Sequence, residues 1–385
     1  MTSPWQEPVR GGHPAASLLS LPGIEQLRMM LDGRAPRPPI SHLTGMKIAE
    51  VGANSAVFTM PASQWLATPQ GPIQIGTLCV LADGPLGCAV QTALPAGTLY
   101  TTSELSLRLL APAYPGGTLT ARGSLLQARR RLALSEAYVQ DDRGHVLAHC
   151  SSLCFLIPTD SSRPQPHANA PAARAQPQAN PPSTPPPPEQ TPDPFERPAM
   201  GEVLPQELWD RMSGLEVLRA LIAGELPSPP IHHLTGIRPT AADEGTATFA
   251  LPAIDWLTAP PPGRLEGGVI ALLADSAAST AIQTLLPAGT AYAPVDLKVN
   301  FVRPALTDGR EVQATGRVVH AGRSIMLADA EVINAEGKLV ALARASALLR
   351  PGRAASLTDA EPGSITEFAG TAPRKITEER HDVLD

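Results

Sequence analysis

Aromatic residues make up only 4% of this 385-residue chain, and cysteine occurs just four times, at Cys79, Cys88, Cys150 and Cys154. Their spacings match neither a zinc site nor a redox CxxC pair, so no metal is expected and the thiols read as small buried hydrophobes. Basic blocks are also lacking. The net charge is −6 and the pI about 5.9, with no basic run beyond Arg129-Arg130-Arg131, which leaves no electrostatic footprint for nucleic acid or an anionic membrane. The N-terminus has no charged start followed by an apolar stretch. No later run reaches the roughly 20 apolar residues of a membrane span, and a cytoplasmic chain is the expectation. GxSxG elbows, P-loops and GxGxxG fingerprints are missing, which counts against serine esterases and nucleotide-phosphate enzymes.

What the chain does contain is a repeat. "PPISHLTGM" at 38–46 returns as "PPIHHLTGI" at 229–237, and "QTALPAGTLY" at 91–100 returns as "QTLLPAGTAY" at 283–292. Trp65 matches Trp256 at an offset of 191 and Asp83 matches Asp275 at 192, so one residue is inserted in the second copy, near "APPPG". The duplication runs from about 23 to 157 and again from about 214 to 350. Much of the excess of 43 prolines sits between the copies. The expected organisation is a disordered N-terminus (1–22), a first domain (23–158), a proline-rich tether (159–199), a second domain (200–350) and a disordered tail (351–385).

Each copy follows one plan. A short amphipathic helix, such as "GLEVLRALIAG" ending at Gly224, precedes a strand or two. A glycine-started apolar helix follows, in copy two from Gly267 to about Leu286, and strand-like runs finish the copy. In "APVDLKVNFVRPA" Val295, Leu297, Val299 and Phe301 alternate with Asp296, Lys298 and Asn300, the mark of a sheet with two different faces. One long helix and an antiparallel meander in about 135 residues make an α+β unit whose sheet must wrap the helix to bury it.

The helix motif G-G-x-x-x-x-L-x-D followed by the strand "VDLKVNFVRP" resembles hotdog-fold thioesterases of the phenylacetate-degradation (PaaI-like) type. The resemblance covers both copies and implies two tandem hotdog domains forming an intramolecular pseudo-dimer. Acyl-CoA thioesters would bind at the seam, with no cofactor and further pairing of tandem chains left open. Thioester hydrolysis needs a carboxylate to activate water or attack, and donors where charge grows on the carbonyl oxygen. Free N–H groups at a helix start supply such donors. Asp275 lies eight residues beyond Gly267, about 12 Å along a helix, too far for one carbonyl to reach both.

Each acid must therefore act with the helix start of the other copy. One composite site joins Asp83 to Gly267 and Gly268, with Thr102 at the strand position that carries Ser or Thr in the family. The other joins Asp275 to Gln74, Ile75 and Gly76, with Pro294 at the strand position, and is expected to be weak or dead. The Gly84-Pro85 pair after Asp83 is expected to kink its helix. Where the family begins this motif with His-Gly-Gly, this chain has Glu266 and Gln74, and the family's Asn or Gln six residues earlier is Pro260 or Thr68. Glu266 reads either as a solvated acid near the positive end of a helix or as a site residue. Arg130 and Arg323, at matching turns, are candidate contacts for coenzyme A phosphates. His42, His232 and His233 lack metal partners and read as loop residues. The alternative is a degenerate hotdog protein that binds acyl-CoA, or serves as a scaffold, without turnover; a hotdog dehydratase, lacking a His–acid pair at the seam, is a weaker third.

Overall fold

In a computed structural model, residues 2–158 and 191–350 are described. The tail 351–385 and most of the expected tether, 159–190, lie outside the described residues. Copy one contains α1 (Gly23–Leu31), α2 (Pro39–Thr44), β1 (Lys47–Gly52), β2 (Ser55–Pro61), α3 (Ile75–Thr92), β3 (Thr98–Leu109), β4 (Thr118–Arg129), β5 (Leu132–Gln140) and β6 (Val146–Pro158). Copy two begins with the extra turn α4 (Gln206–Trp209) and repeats the series as α5 (Gly214–Ala223), α6 (Pro230–Thr235), β7 (Arg238–Asp243), β8 (Thr246–Pro252), α7 (Gly267–Gln283), β9 (Ala291–Phe301), β10 (Glu311–Ala321), β11 (Ile325–Ile333) and β12 (Leu339–Arg350).

All strands join one 12-stranded antiparallel sheet in the order β1-β2-β4-β5-β6-β3-β9-β12-β11-β10-β8-β7. The order on one side of the β3–β9 seam mirrors the other, and Leu105 pairs with Val299 and Leu107 with Leu297 across it. The curved sheet encloses α3 and α7, which are apolar nearly all round, and most buried residues of both copies form one continuous core, with two small clusters beside it. This is the tandem hotdog architecture. α3 has the length and hydropathy of a membrane span, but most of it is buried against the sheet and α7. The four cysteines are unpaired, and Cys79, Cys150 and Cys154 are buried.

The two core helices touch backbone to backbone. A Cβ added to Gly268 would lie 2.5 Å from the Val80 Cα, and one added to Gly76 would lie 2.5 Å from the Leu272 Cα. These glycines are thus demanded by the helix crossing. α7 ends at Gln283, three residues before the expected Leu286, and α3 runs on through Pro85 to Thr92.

The ends of the domains differ from expectation. Residues 2–22, expected to be disordered, carry two 3-10 turns. The first forms an arm on copy two, where the Trp256 indole donates to the Glu7 carbonyl at 2.9 Å and Trp5 lies over Gly236. The second lies on copy one, where Gly97 N–H donates to the Leu19 carbonyl at 2.8 Å. Residues 191–199, expected within the tether, form a matching arm on copy one. The Trp65 indole donates to the Arg197 carbonyl at 2.9 Å, and Phe195 lies over Gly45. "PWQEP" at 4–8 and "PFERP" at 194–198 are therefore a third repeated block, and each copy's arm crosses to the other copy. Arg197 joins the arms by an ion pair with Glu7 at 2.7 Å. A buried indole N–H needs an acceptor, and Trp65 and Trp256 are 2% and 0% exposed. That requirement orders both arms despite their proline content.

Candidate active site at the seam

Each core helix brings its aspartate to the other helix's first turn. At one end of the crossing, Gly268 N–H donates to Asp83 Oδ2 at 3.2 Å, and Thr102 donates its hydroxyl to Asp83 Oδ1 at 3.4 Å from β3. Gly267 N–H also favours the charged carboxylate. At the other end, Gly76 N–H donates to Asp275 Oδ2 at 2.8 Å, and Ser279, one turn along α7, donates to Asp275 Oδ1 at 2.7 Å. Both acids sit where the partial positive charge of a helix start is concentrated.

The two ends are not equally open. Asp275 is 2% exposed, whereas Asp83 and Gly267 keep partial exposure. Side-chain identity explains the difference. The counterpart of Ser279 is Gly87, so Asp83 lacks the hydroxyl that Ser279 gives Asp275, and the space a side chain would take there is filled by Tyr100, whose hydroxyl would lie 2.5 Å from an added Cβ. Burial raises both carboxyls; the backbone and hydroxyl donors offset part of this, and Asp83 is held at about 6. A carboxylate poised there is ionised at neutral pH yet basic enough to take a proton from water.

The residues that start the helices also diverge. Gln74 caps α3 and donates to the Ser276 hydroxyl at 2.9 Å, so its amide is engaged in holding the helices together. Glu266 caps α7 with no side-chain cap hydrogen bond and is only 7% exposed. The solvated-acid alternative for Glu266 is therefore overturned by its burial. Burial and the charge of Asp83 push its carboxyl well up.

Gly268 and Gly76 also depart from expectation, because their amides hold the aspartates and their missing side chains admit the facing helix. Of the three glycines, Gly267 is the one with partial exposure. Arg130 and Arg323 are exposed at the β4–β5 and β10–β11 hairpin tips. Thr68 accepts no seam role; its hydroxyl donates to the Pro72 carbonyl at 2.8 Å. His232 is half-buried and edge-on to Phe249, and His42 and His233 contact Asp193 and Ser3 of the arms, each at 3.0 Å. Among the described residues no His, Cys, Asp and Glu cluster could hold a metal.

Sequence reasoning missed Tyr100 and Arg264. Tyr100 stands inside the repeated "QTALPAGTLY" block, and Arg264, half-buried two residues before Glu266, interacts electrostatically with it. A surface groove of about 500 Å³ near Arg303, Leu306 and Glu336 contains none of the seam residues.

Comparison with known proteins matches the same segments. The family model described as thioesterase superfamily matches residues 75–148 and again 263–341. Two curated relatives named "putative esterase", from Halobacterium salinarum and Haemophilus influenzae, are each 30% identical over 137 residues. The matches cover 33% and 36% of this chain and 89% and 94% of the relatives. Among solved structures, a conserved protein of unknown function with a hot dog fold from Alicyclobacillus acidocaldarius is 14% identical with a TM-score of 0.49, covering 82% of this chain and 98% of its own.

Proposed function

This chain belongs to the thioesterase superfamily, and on that premise we propose that it hydrolyses acyl thioesters, with acyl-CoA as the substrate class, at the Asp83 end of the seam. The observation that carries this reading is the partly exposed Asp83, held by the Gly268 amide and the Thr102 hydroxyl beside the partly exposed Gly267. Asp83 acts as general base. One of its oxygens accepts from Gly268 N–H and the other from the Thr102 hydroxyl, and either can take a proton from the attacking water. The thioester carbonyl lies against Gly267 N–H, which meets the charge that develops on oxygen. Thr102 orients Asp83, and Gly268 fixes it to the helix that presents the carbonyl donor, so base and electrophile are positioned by one contact.

Asp275 has the same backbone partner but is sealed by Ser279 and the closed helix start. In this reading it is a structural acid that ties α7 to α3. Hydrolysis is tested by following free thiol released from short, long and aryl acyl-CoAs. Turnover of at least one class that disappears in Asp83→Asn supports the reading. Absence of turnover by the wild-type chain on every class refutes it and favours binding without hydrolysis.

A further inference from the structure

Hydrolysis by Asp83 leaves one buried acid of the same site without a task. Glu266 Oε2 is enclosed and has no hydrogen-bond partner among the described residues. Its counterpart, Gln74, shows what a satisfied residue looks like there, with its amide on the Ser276 hydroxyl. The position equivalent to Ser276 is Gly84, which has no hydroxyl to offer. Asp83 and Cys88 on α3 are the titratable groups that interact with Glu266, and each is an acid. Arg264, on the same loop, interacts with Tyr100 on β3. A buried carboxylate with no donor and an acid for a neighbour is strongly disfavoured relative to its neutral form.

We propose that Glu266 is held as the neutral carboxylic acid and that its O–H, next to the Gly267 amide, donates a hydrogen bond to the thioester carbonyl oxygen in the transition state. This rests on the hydrolase reading above. Water adds to the carbonyl carbon while its proton passes to Asp83, and the carbonyl π pair moves onto oxygen. Gly267 N–H and Glu266 O–H donate to that oxyanion. When the C=O bond re-forms, the C–S bond breaks, and the proton on Asp83 goes to the departing sulfur, giving acid and thiol. Glu266 keeps its proton throughout, which is the use of a carboxyl that burial keeps neutral at pH 7.

The test combines infrared spectroscopy with kinetics on the full chain. At pH 7 the wild type should show the C=O stretch of a neutral carboxyl that is lost in Glu266→Gln. Glu266→Gln, which keeps a neutral N–H donor, should retain kcat within about tenfold, whereas Glu266→Ala should lose about 100-fold in kcat, the cost of one oxyanion donor, with KM little changed. The wild-type rate should fall at alkaline pH as Glu266 ionises, and Glu266→Gln should lose that fall. Thermal melts of both variants separate a folding defect from a chemical one. Wild-type activity in Glu266→Ala, equal loss in Glu266→Gln and Glu266→Ala, or absence of the infrared band with turnover intact overturns the donor role. A wild type that shows the band but turns over no thioester refutes the hydrolase reading itself and the donor role with it.

Discussion

The Asp83 and Asp275 ends of the seam have nearly the same backbone and different surroundings. Each aspartate accepts a hydrogen bond from the first turn of the facing helix, at 3.2 Å for Asp83 and 2.8 Å for Asp275. Around Asp275 the chain has Ser276, Ser279 and Pro294, and around Asp83 the same positions are Gly84, Gly87 and Thr102. The hydroxyls of Ser276 and Ser279 close their end by engaging Gln74 and Asp275. At the other end the glycines offer no hydroxyl and admit Phe58 and Tyr100 against the helix, Asp83 keeps partial exposure, and Thr102 supplies a hydroxyl from the strand. Duplication thus preserves the crossing that builds the core, while a few small side chains decide which end can admit a ligand.

The strongest way to break this comparison is to neutralise each acid. Asp83→Asn should lower kcat by about 100-fold or more, the range expected for removing a general base, and Asp275→Asn should leave kcat within about threefold. Equal losses, measured by thiol release, would show that the two ends work alike. A second test is pH. With Asp83 held at about 6, kcat/KM should rise about tenfold per pH unit below pH 6 and level off above it, and Asp275→Asn should not move that limb.

A smaller effect is expected from Thr102→Val, which removes one donor to Asp83. Losing a bond to the charged form raises the carboxyl further, so the acid limb should shift upward and kcat at pH 6 should fall about tenfold. The reciprocal change, Pro294→Thr, should add no activity. The smallest effect is on stability. Both acids bind protons more tightly folded than unfolded, so between roughly pH 4 and 6 the native state holds more protons and stability falls as pH rises. Melting temperatures should decline through that window, and Asp83→Asn should flatten the slope by about 1–3 °C.

The duplication, the α+β plan and the cross-copy pairing of Asp83 with Gly267-Gly268 were legible because they rest on spacing. An acid eight residues from a helix start cannot share its ligand, whatever surrounds it. The arms were not legible. "PWQEP" and "PFERP" are short and proline-rich, and only the buried indoles of Trp256 and Trp65, each needing an acceptor, fix them in place. Glu266 was ambiguous for a related reason. Its type and its position before a helix suit a solvated cap, and its burial depends on tertiary packing that no local pattern reveals.

By itself, then, the sequence determined the two copies, their core helices and the one acid on each, since periodicity and repetition are local properties of the chain. Tertiary structure alone decided that the arms cross, that Gly76 and Gly268 serve the helix contact, and that Asp83 is open while Asp275 is sealed. Those outcomes depend on what the other copy places within a few ångströms, and accessibility and protonation follow from that neighbour.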